Sequence, residues 1–478
     1  MNLYARLAQL ALSRAERSAL EAGRDRLTYP QLDLAARRIA SGLRDRGVGA
    51  GDMVGLRLRD TPEHVAAFFG IMRLGAIILP LDWRAAPAEF KRVTDRFAPA
   101  VVVTEGSAPA GCAGTTVDIA ELLAADPDDG PVAAVVDAAM GVSLTSGTTG
   151  EPKAIVVTHE QLHARCMARA HIGVFQPGDR YLSTLPLAYP AGREHAICVI
   201  LMGATFVTFP PLFGPEEIVD YVNGNDISVL VASPNVVRGL LQLRASGGLL
   251  MPRLRTMVSG TAKLQPEERA AIVGRVAPRL IDYYGSTGTG PIAAIVEPSQ
   301  GAEPSSIGHP AIGLELEIAG EDGRPLPFGE TGDIRVRGPA VSTRAIGKVD
   351  EREGFRDGWY YPGDLGSLGT DGLLHLHGRA ADLIKRGGLM VHAQEVEQAL
   401  RRHSSVRDAA VVGAPCATLG QEVVAFVVAG APLEAREIVH HCRRELAPYK
   451  VPARVEFVEE LPRNASGKVV KAMLLERS

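Results

Sequence analysis

One ten-residue string constrains this chain more than any other: Leu144-Thr145-Ser146-Gly147-Thr148-Thr149-Gly150-Glu151-Pro152-Lys153. An apolar run, Met140 to Leu144, precedes it, and a β-branched run, Ala154-Ile155-Val156-Val157-Thr158, follows. Both flanks read as strands and the middle as a loop. Glycines let backbone N–H groups turn inward and form an anion-binding concavity, the hydroxyls add donors, and Lys153 adds a point charge. That chemistry suits the phosphates of a nucleotide; a plain polar hairpin would use many of the same residues. No Gly-Lys-Ser/Thr follows four spacers after a glycine, so the loop is not a P-loop of the Walker type.

The flanking sequence reads as alternating helices and apolar strands. Leu3, Leu7, Leu10 and Leu20 mark an amphipathic helix over 1–20. Thr28 with Gln31 reads as a capping box, with Pro30 in the first turn of a helix that ends at Gly47. A strand over 53–58, a helix over 62–74 and strands over 76–81 and 101–104 follow. This alternation predicts an α/β fold, with parallel-rich sheets covered on both faces. The uncharged stretch Ala196 to Phe213 is nearly long enough to span a bilayer, but Gly203 and Pro210-Pro211 interrupt it. It reads as a buried helix, a turn and a buried strand.

Composition excludes several classes. The net charge of −4 gives no footprint for nucleic acid or a basic membrane patch. The odd set Cys112, Cys166, Cys198, Cys416 and Cys442 contains no CxxC pair, which argues against a disulfide framework or zinc site and suits a cytoplasmic location. The N-terminus lacks the charged and apolar regions of a secretion signal.

The string at 144–153 resembles the signature loop of adenylate-forming enzymes: acyl-CoA synthetases, aryl-acid ligases, luciferases and nonribosomal adenylation domains. Further strings resemble that family's motifs, in its order, along nearly the whole chain. Tyr181 to Tyr189 resembles the Leu-Pro-Leu segment that enters the acyl pocket, with Tyr189 where a His is common. Arg193 follows, either paired with Glu194 or another carboxylate or facing an acyl group that carries a second anion or polar group. Ser259-Gly260-Thr261-Ala262 resembles the turn along the adenine. Ile281-Asp282-Tyr283-Tyr284-Gly285-Ser286-Thr287-Gly288 resembles the motif whose aromatic stacks on the purine and whose Thr donates to a phosphate. In Trp359-Tyr360-Tyr361-Pro362-Gly363-Asp364, the resemblance makes Asp364 the partner of both ribose hydroxyls. It makes Arg379 a ribose or phosphate contact, Ala381 the hinge, Gly387 and Gly388 the path of a thiol-bearing arm, and Lys468 the catalytic lysine of the tail string Leu461 to Lys468.

The resemblance implies a large domain over 1–379 that binds AMP and the acyl group and has a β-rich subdomain. A small mobile α+β domain over 380–478 follows. It implies ATP and Mg²⁺, a small carboxylic acid, and a thiol: CoA or the phosphopantetheine of a carrier protein. It leaves a homodimer open. An α-amino acid is disfavoured, because its usual Asp is not seen around 187–190. One departure stands out. The family's Glu that helps hold Mg²⁺ is replaced by Gly288, so the metal ligands are unknown, Asp282 and Glu297 lie nearby in sequence, and a nucleotide binder with weak turnover is an alternative.

Overall fold

The computed structural model describes residues 2–23, 25–106, 114–134, 138–145, 153–209, 214–244, 247–260, 264–298, 306–347, 353–463 and 469–475. The chain divides into two compact units, 1–315 with 336–360, and 316–335 with 361–478. The expected boundary at 379/380 falls inside the second unit.

In the first unit, a nine-stranded sheet runs in the order 309–310, 290–297, 280–286, 256–259, 229–232, 180–183, 205–208, 18–22 and 25–28. Its strands from 280–286 to 18–22 pair in parallel, and the edges close with antiparallel partners. Central strands such as Val229–Ala232 are buried at every residue, as expected where helices cover both faces of a parallel sheet. A seven-stranded sheet runs 344–346, 153–158, 139–145, 77–80, 53–57, 101–104 and 115–118.

The helix Pro62–Leu74 is buried from His64 to Leu74. Its apolar residues surround the whole axis because it lies in a core shared by residues of both sheets. Gly75, at φ +69°, ends it: its N–H bonds back to Ile71 and Met72. Thr28 and Gln31 form the expected reciprocal cap of the helix Tyr29–Arg44, and Thr158 and Gln161 repeat it at the helix His159–His171. The segment from 196 folds as expected, with the helix Pro190–Leu201, a turn at Gly203 (φ +78°) and the strand Thr205–Thr208. Among the described residues no helix is long and apolar enough to cross a membrane.

The first expectation needs correction. The opening helix is Tyr4–Ser13, and Leu20 belongs to the strand Ser18–Ala22, paired with Phe206. Leu20 meets the helical spacing by position alone; sheet pairing with a segment far along the chain overrides it.

In the second unit, a five-stranded sheet runs 389–392, 383–386, 420–429 and 406–416, with 454–457 added in parallel to 420–429. The helices Ala393–Arg401 and Ala435–Glu445 bury Val396, Leu400, Ile438 and Cys442 in its core. A neighbouring antiparallel pair, Asp364–Leu368 with Leu374–Arg379, precedes it in the chain.

Candidate active site

The phosphate-loop string begins and ends on two paired strands. The strands Ala139–Thr145 and Lys153–Thr158 pair antiparallel, and Thr145 opposite Lys153 closes them. Ser146, Gly147, Thr148, Thr149 and Gly150 lie outside the described residues. The stem is held from one side by Gly141, where a Cβ would come within 3.2 Å of Ile78. Arg193 holds it from the other. Its Nη2 donates to Val142 O at 3.1 Å and to Ser143 Oγ at 3.1 Å, and its Nη1 donates to Ala188 O at 3.3 Å. The guanidinium is buried, and burial pulls it down to about 10. Of the two readings of Arg193, the pairing with Glu194 does not form at these distances; two carbonyls and the Ser143 hydroxyl take its donors instead.

Glu194 instead takes Arg165 and Arg169 on its two oxygens, the second at 2.7 Å. Burial alone would raise this carboxyl, but the two guanidinium charges outweigh it and hold it at about 2. The next residue, His195, is fully buried. Tyr181 bonds its Nδ1, and the Tyr283 hydroxyl lies 3.0 Å from its Nε2. Burial, reinforced by Arg169, lowers it to about 3, so the ring is neutral: one nitrogen donates and the other accepts. Charged residues in an otherwise apolar helix were the sequence signal for this cluster, and reading the chain motif by motif missed it.

Tyr189 caps the helix Pro190–Leu201, and its hydroxyl donates to Asp82 Oδ2 at 3.1 Å. Burial and Asp82 raise that hydroxyl to about 12. Gly260 ends the strand Thr256–Ser259 against Tyr283, whose ring a Cβ at 260 would meet at 3.1 Å. The adenine turn and the aromatic motif are therefore neighbours. Thr261 and Ala262 lie outside the described residues. Tyr284 pairs with Ala293. At Gly285 a Cβ would come within 2.9 Å of the Gly290 carbonyl carbon. Ser286 N donates to Thr289 Oγ1 at 3.0 Å, which folds the half-buried Thr287 into a tight turn.

In the second unit, Asp364 and Arg379 stand opposite each other on paired strands, with Arg379 Nε 3.5 Å from Asp364 Oδ1. Two residues drawn from separate motifs, Asp364 expected at the ribose and Arg379 at the ribose or a phosphate, are thus adjacent. Ala381 lies in the 3₁₀ turn Ala380–Asp382. Gly387 and Gly388, at φ +57° and +83°, form the two-residue turn between Leu383–Arg386 and Leu389–His392, which requires glycine-like backbone at both positions. Lys468 lies outside the described residues. The described residues on either side of it are joined by the Arg463–Val469 bridge and by Val470 N on Pro462 O at 2.8 Å.

The AMP-binding enzyme family matches residues 7–344, and the AMP-binding enzyme C-terminal domain matches residues 395–468. The chain belongs to the AMP-binding enzyme family. It is an adenylate-forming protein and an acid–thiol ligase of the AMP-forming type. It is 29% identical to indoleacetate–CoA ligase of Aromatoleum aromaticum, covering 95% of each chain. It is 30% identical to the fatty acid–[acyl-carrier-protein] ligase ScoC of Streptomyces coeruleorubidus, covering 94% of this chain and 91% of that one. Its structure resembles ATP-bound MatB from Rhodopseudomonas palustris with a TM-score of 0.91 at 27% identity, covering 100% of this chain and 98% of that one.

Gly288 of this AMP-binding enzyme stands where the sequence resemblance led to the expectation of a metal-binding Glu. Magnesium prefers one or two carboxylates with phosphates and water. Among the described residues no group of three His, Cys, Asp or Glu side chains is placed to hold a metal. Gly288 is also closed in. Its carbonyl accepts from Ser342 N at 2.7 Å and from Arg165 Nη2 at 3.1 Å, and a Tyr360 ring lies against its Cα face. The residues at 288 therefore do not fit the family's metal carboxylate.

Proposed function

We propose that the enzyme activates a small carboxylic acid with ATP and passes the acyl group to the thiol of CoA. A substrate carboxylate oxygen attacks the α-phosphorus, the bond to pyrophosphate breaks, and acyl-AMP and pyrophosphate form. The thiol sulfur then attacks the acyl carbon, AMP leaves, and the thiol proton is released. Such chemistry needs placement and charge stabilisation above all.

The observation that carries the reading is the Asp364–Arg379 pair. A carboxylate can accept from both ribose hydroxyls at once, and the neighbouring guanidinium orients it and offers donors to a phosphate. In this reading the hairpin end at 145–153 holds the departing pyrophosphate, Tyr283 and Gly260 border the base, and Lys468 neutralises charge developing at the α-phosphate. Rotation about Ala381 separates the two half-reactions, and Gly387 and Gly388 border the thiol's path. Because Arg193 is committed to Val142 and Ser143, it acts on the phosphate hairpin rather than on the acyl group.

Pyrophosphate exchange across a panel of carboxylic acids tests the reading. Exchange with one class of acid supports it; ATP binding without exchange for any acid overturns it. Lys468→Ala should lose about 10²–10³ in acyl-AMP formation while still turning over supplied acyl-AMP with CoA. The carrier-protein alternative predicts that a phosphopantetheinylated carrier outcompetes CoA as acceptor.

A further inference from the structure

We infer that Tyr360 occupies the place of a side chain at residue 288, so that the divalent cation reaches the site on the nucleotide's own phosphates with no protein carboxylate at that position. The geometry is specific. A Cβ added at 288 would lie 2.6 Å from Cε2 of the Tyr360 ring, and nearer still to its Cζ and hydroxyl. Residue 288 is not in the left-handed region, so space rather than backbone conformation excludes a side chain.

The ring is not free to swing aside. Tyr360 is 2% exposed, packs edge-on against Phe355 with centroids 4.9 Å apart, and pairs through its backbone with Val336. The turn is also held on its carbonyl side. Arg165, itself fully buried, spans Gly288 O, Ser342 Oγ at 3.0 Å and Ala340 O at 2.9 Å, and a Cβ at Gly290 would meet its Cγ at 2.6 Å. Tyr360 on one side and Arg165 on the other thus set the turn that carries Thr287.

The metal half of this inference rests on the ATP-dependent reading above; the steric half does not. The steric half is tested by thermal melts of Gly288→Ala alone and with Tyr360→Ala. Gly288→Ala should lower Tm by about 2–4 °C or more, and in the Tyr360→Ala background it should cost nothing further. An equal cost in both backgrounds overturns the inference. The metal half is read by Mn²⁺ electron paramagnetic resonance, without acid substrate so that nothing turns over. Mn²⁺ should bind the protein–ATP complex no more tightly than free ATP, whereas a complex that holds it about tenfold more tightly or better overturns the inference. Gly288→Glu alone should gain no Mn²⁺ affinity, and Gly288→Glu with Tyr360→Ala should gain it; a gain by the single variant at wild-type Tm again overturns the proposal. Should the protein bind no ATP at all, the ligase reading fails and the melts alone decide the Gly288–Tyr360 relationship.

Discussion

Lys471 forms an ion pair with Asp382, Nζ to Oδ2 at 3.1 Å, which ties the helix Lys471–Leu475 to the turn that contains Ala381. The same ammonium reaches Glu397 Oε1 at 2.8 Å, and Glu397 also accepts from Val411 N at 2.9 Å. Burial alone would lower the amine, but Glu397 and Asp382 outweigh it and raise it. The tail that bears Lys468 is therefore fastened to the segment expected to act as its hinge, within one unit.

Lys471→Met should destabilise the second unit by about 1–3 kcal/mol, because two carboxylates lose their shared cation. Hydrogen exchange should quicken at the 380–382 amides. Unchanged protection there would show that the ion pair does not restrain the hinge segment.

Arg193→Ala should act on the nucleotide rather than the acid. The variant takes the guanidinium donor from Val142 O, loosens the hairpin stem and should raise KM for ATP by about tenfold, a loss of the order of one charge-assisted hydrogen bond. The KM for the acid should move much less. A change confined to the acid's KM would return Arg193 to the acyl pocket.

Glu194→Gln removes the one carboxylate between Arg165 and Arg169 while keeping its shape. Breaking a buried pair on one side typically costs about 3–5 kcal/mol. Urea denaturation should show that loss, and the double variant with Arg169→Met should recover part of it, since one uncompensated charge is then gone.

The buried imidazoles predict acid sensitivity. Burial holds His195 down at about 3, and His64 and His159 at about 4. Below the ordinary histidine range, the unfolded chain binds protons that the native chain refuses, so stability falls as pH falls. Each histidine contributes a slope of about 1.4 kcal/mol per pH unit between its unfolded and folded values. Glu194, depressed to about 2, adds to the loss only below the usual carboxylate range. Chemical denaturation should therefore show stability falling as pH drops below about 6.5 and on through pH 5, and His195→Asn should lessen that slope by roughly a third.

Much of the local structure was legible. Thr28 with Gln31 predicted a capping box, and it forms; Pro62 to Leu74 predicted a helix with those bounds. These signals lie within a few residues of each other, where turn chemistry and periodicity act. Leu20 was misread because its partner, Phe206, is remote in the chain. Arg193 was read against its neighbour Glu194 or the acyl group, yet two of its acceptors, Val142 and Ser143, sit on a strand about fifty residues away.

The sequence by itself determined the family, the order of motifs and the absence of a carboxylate at 288, since each is a matter of residue identity along a short string. Only the tertiary structure decided what stands in that carboxylate's place. Arg165 and Gly288 are 123 residues apart, and Tyr360 comes from a later strand still. Their meeting depends on how buried charge and ring volume are shared in a packed interior, where each group must find both space and a partner.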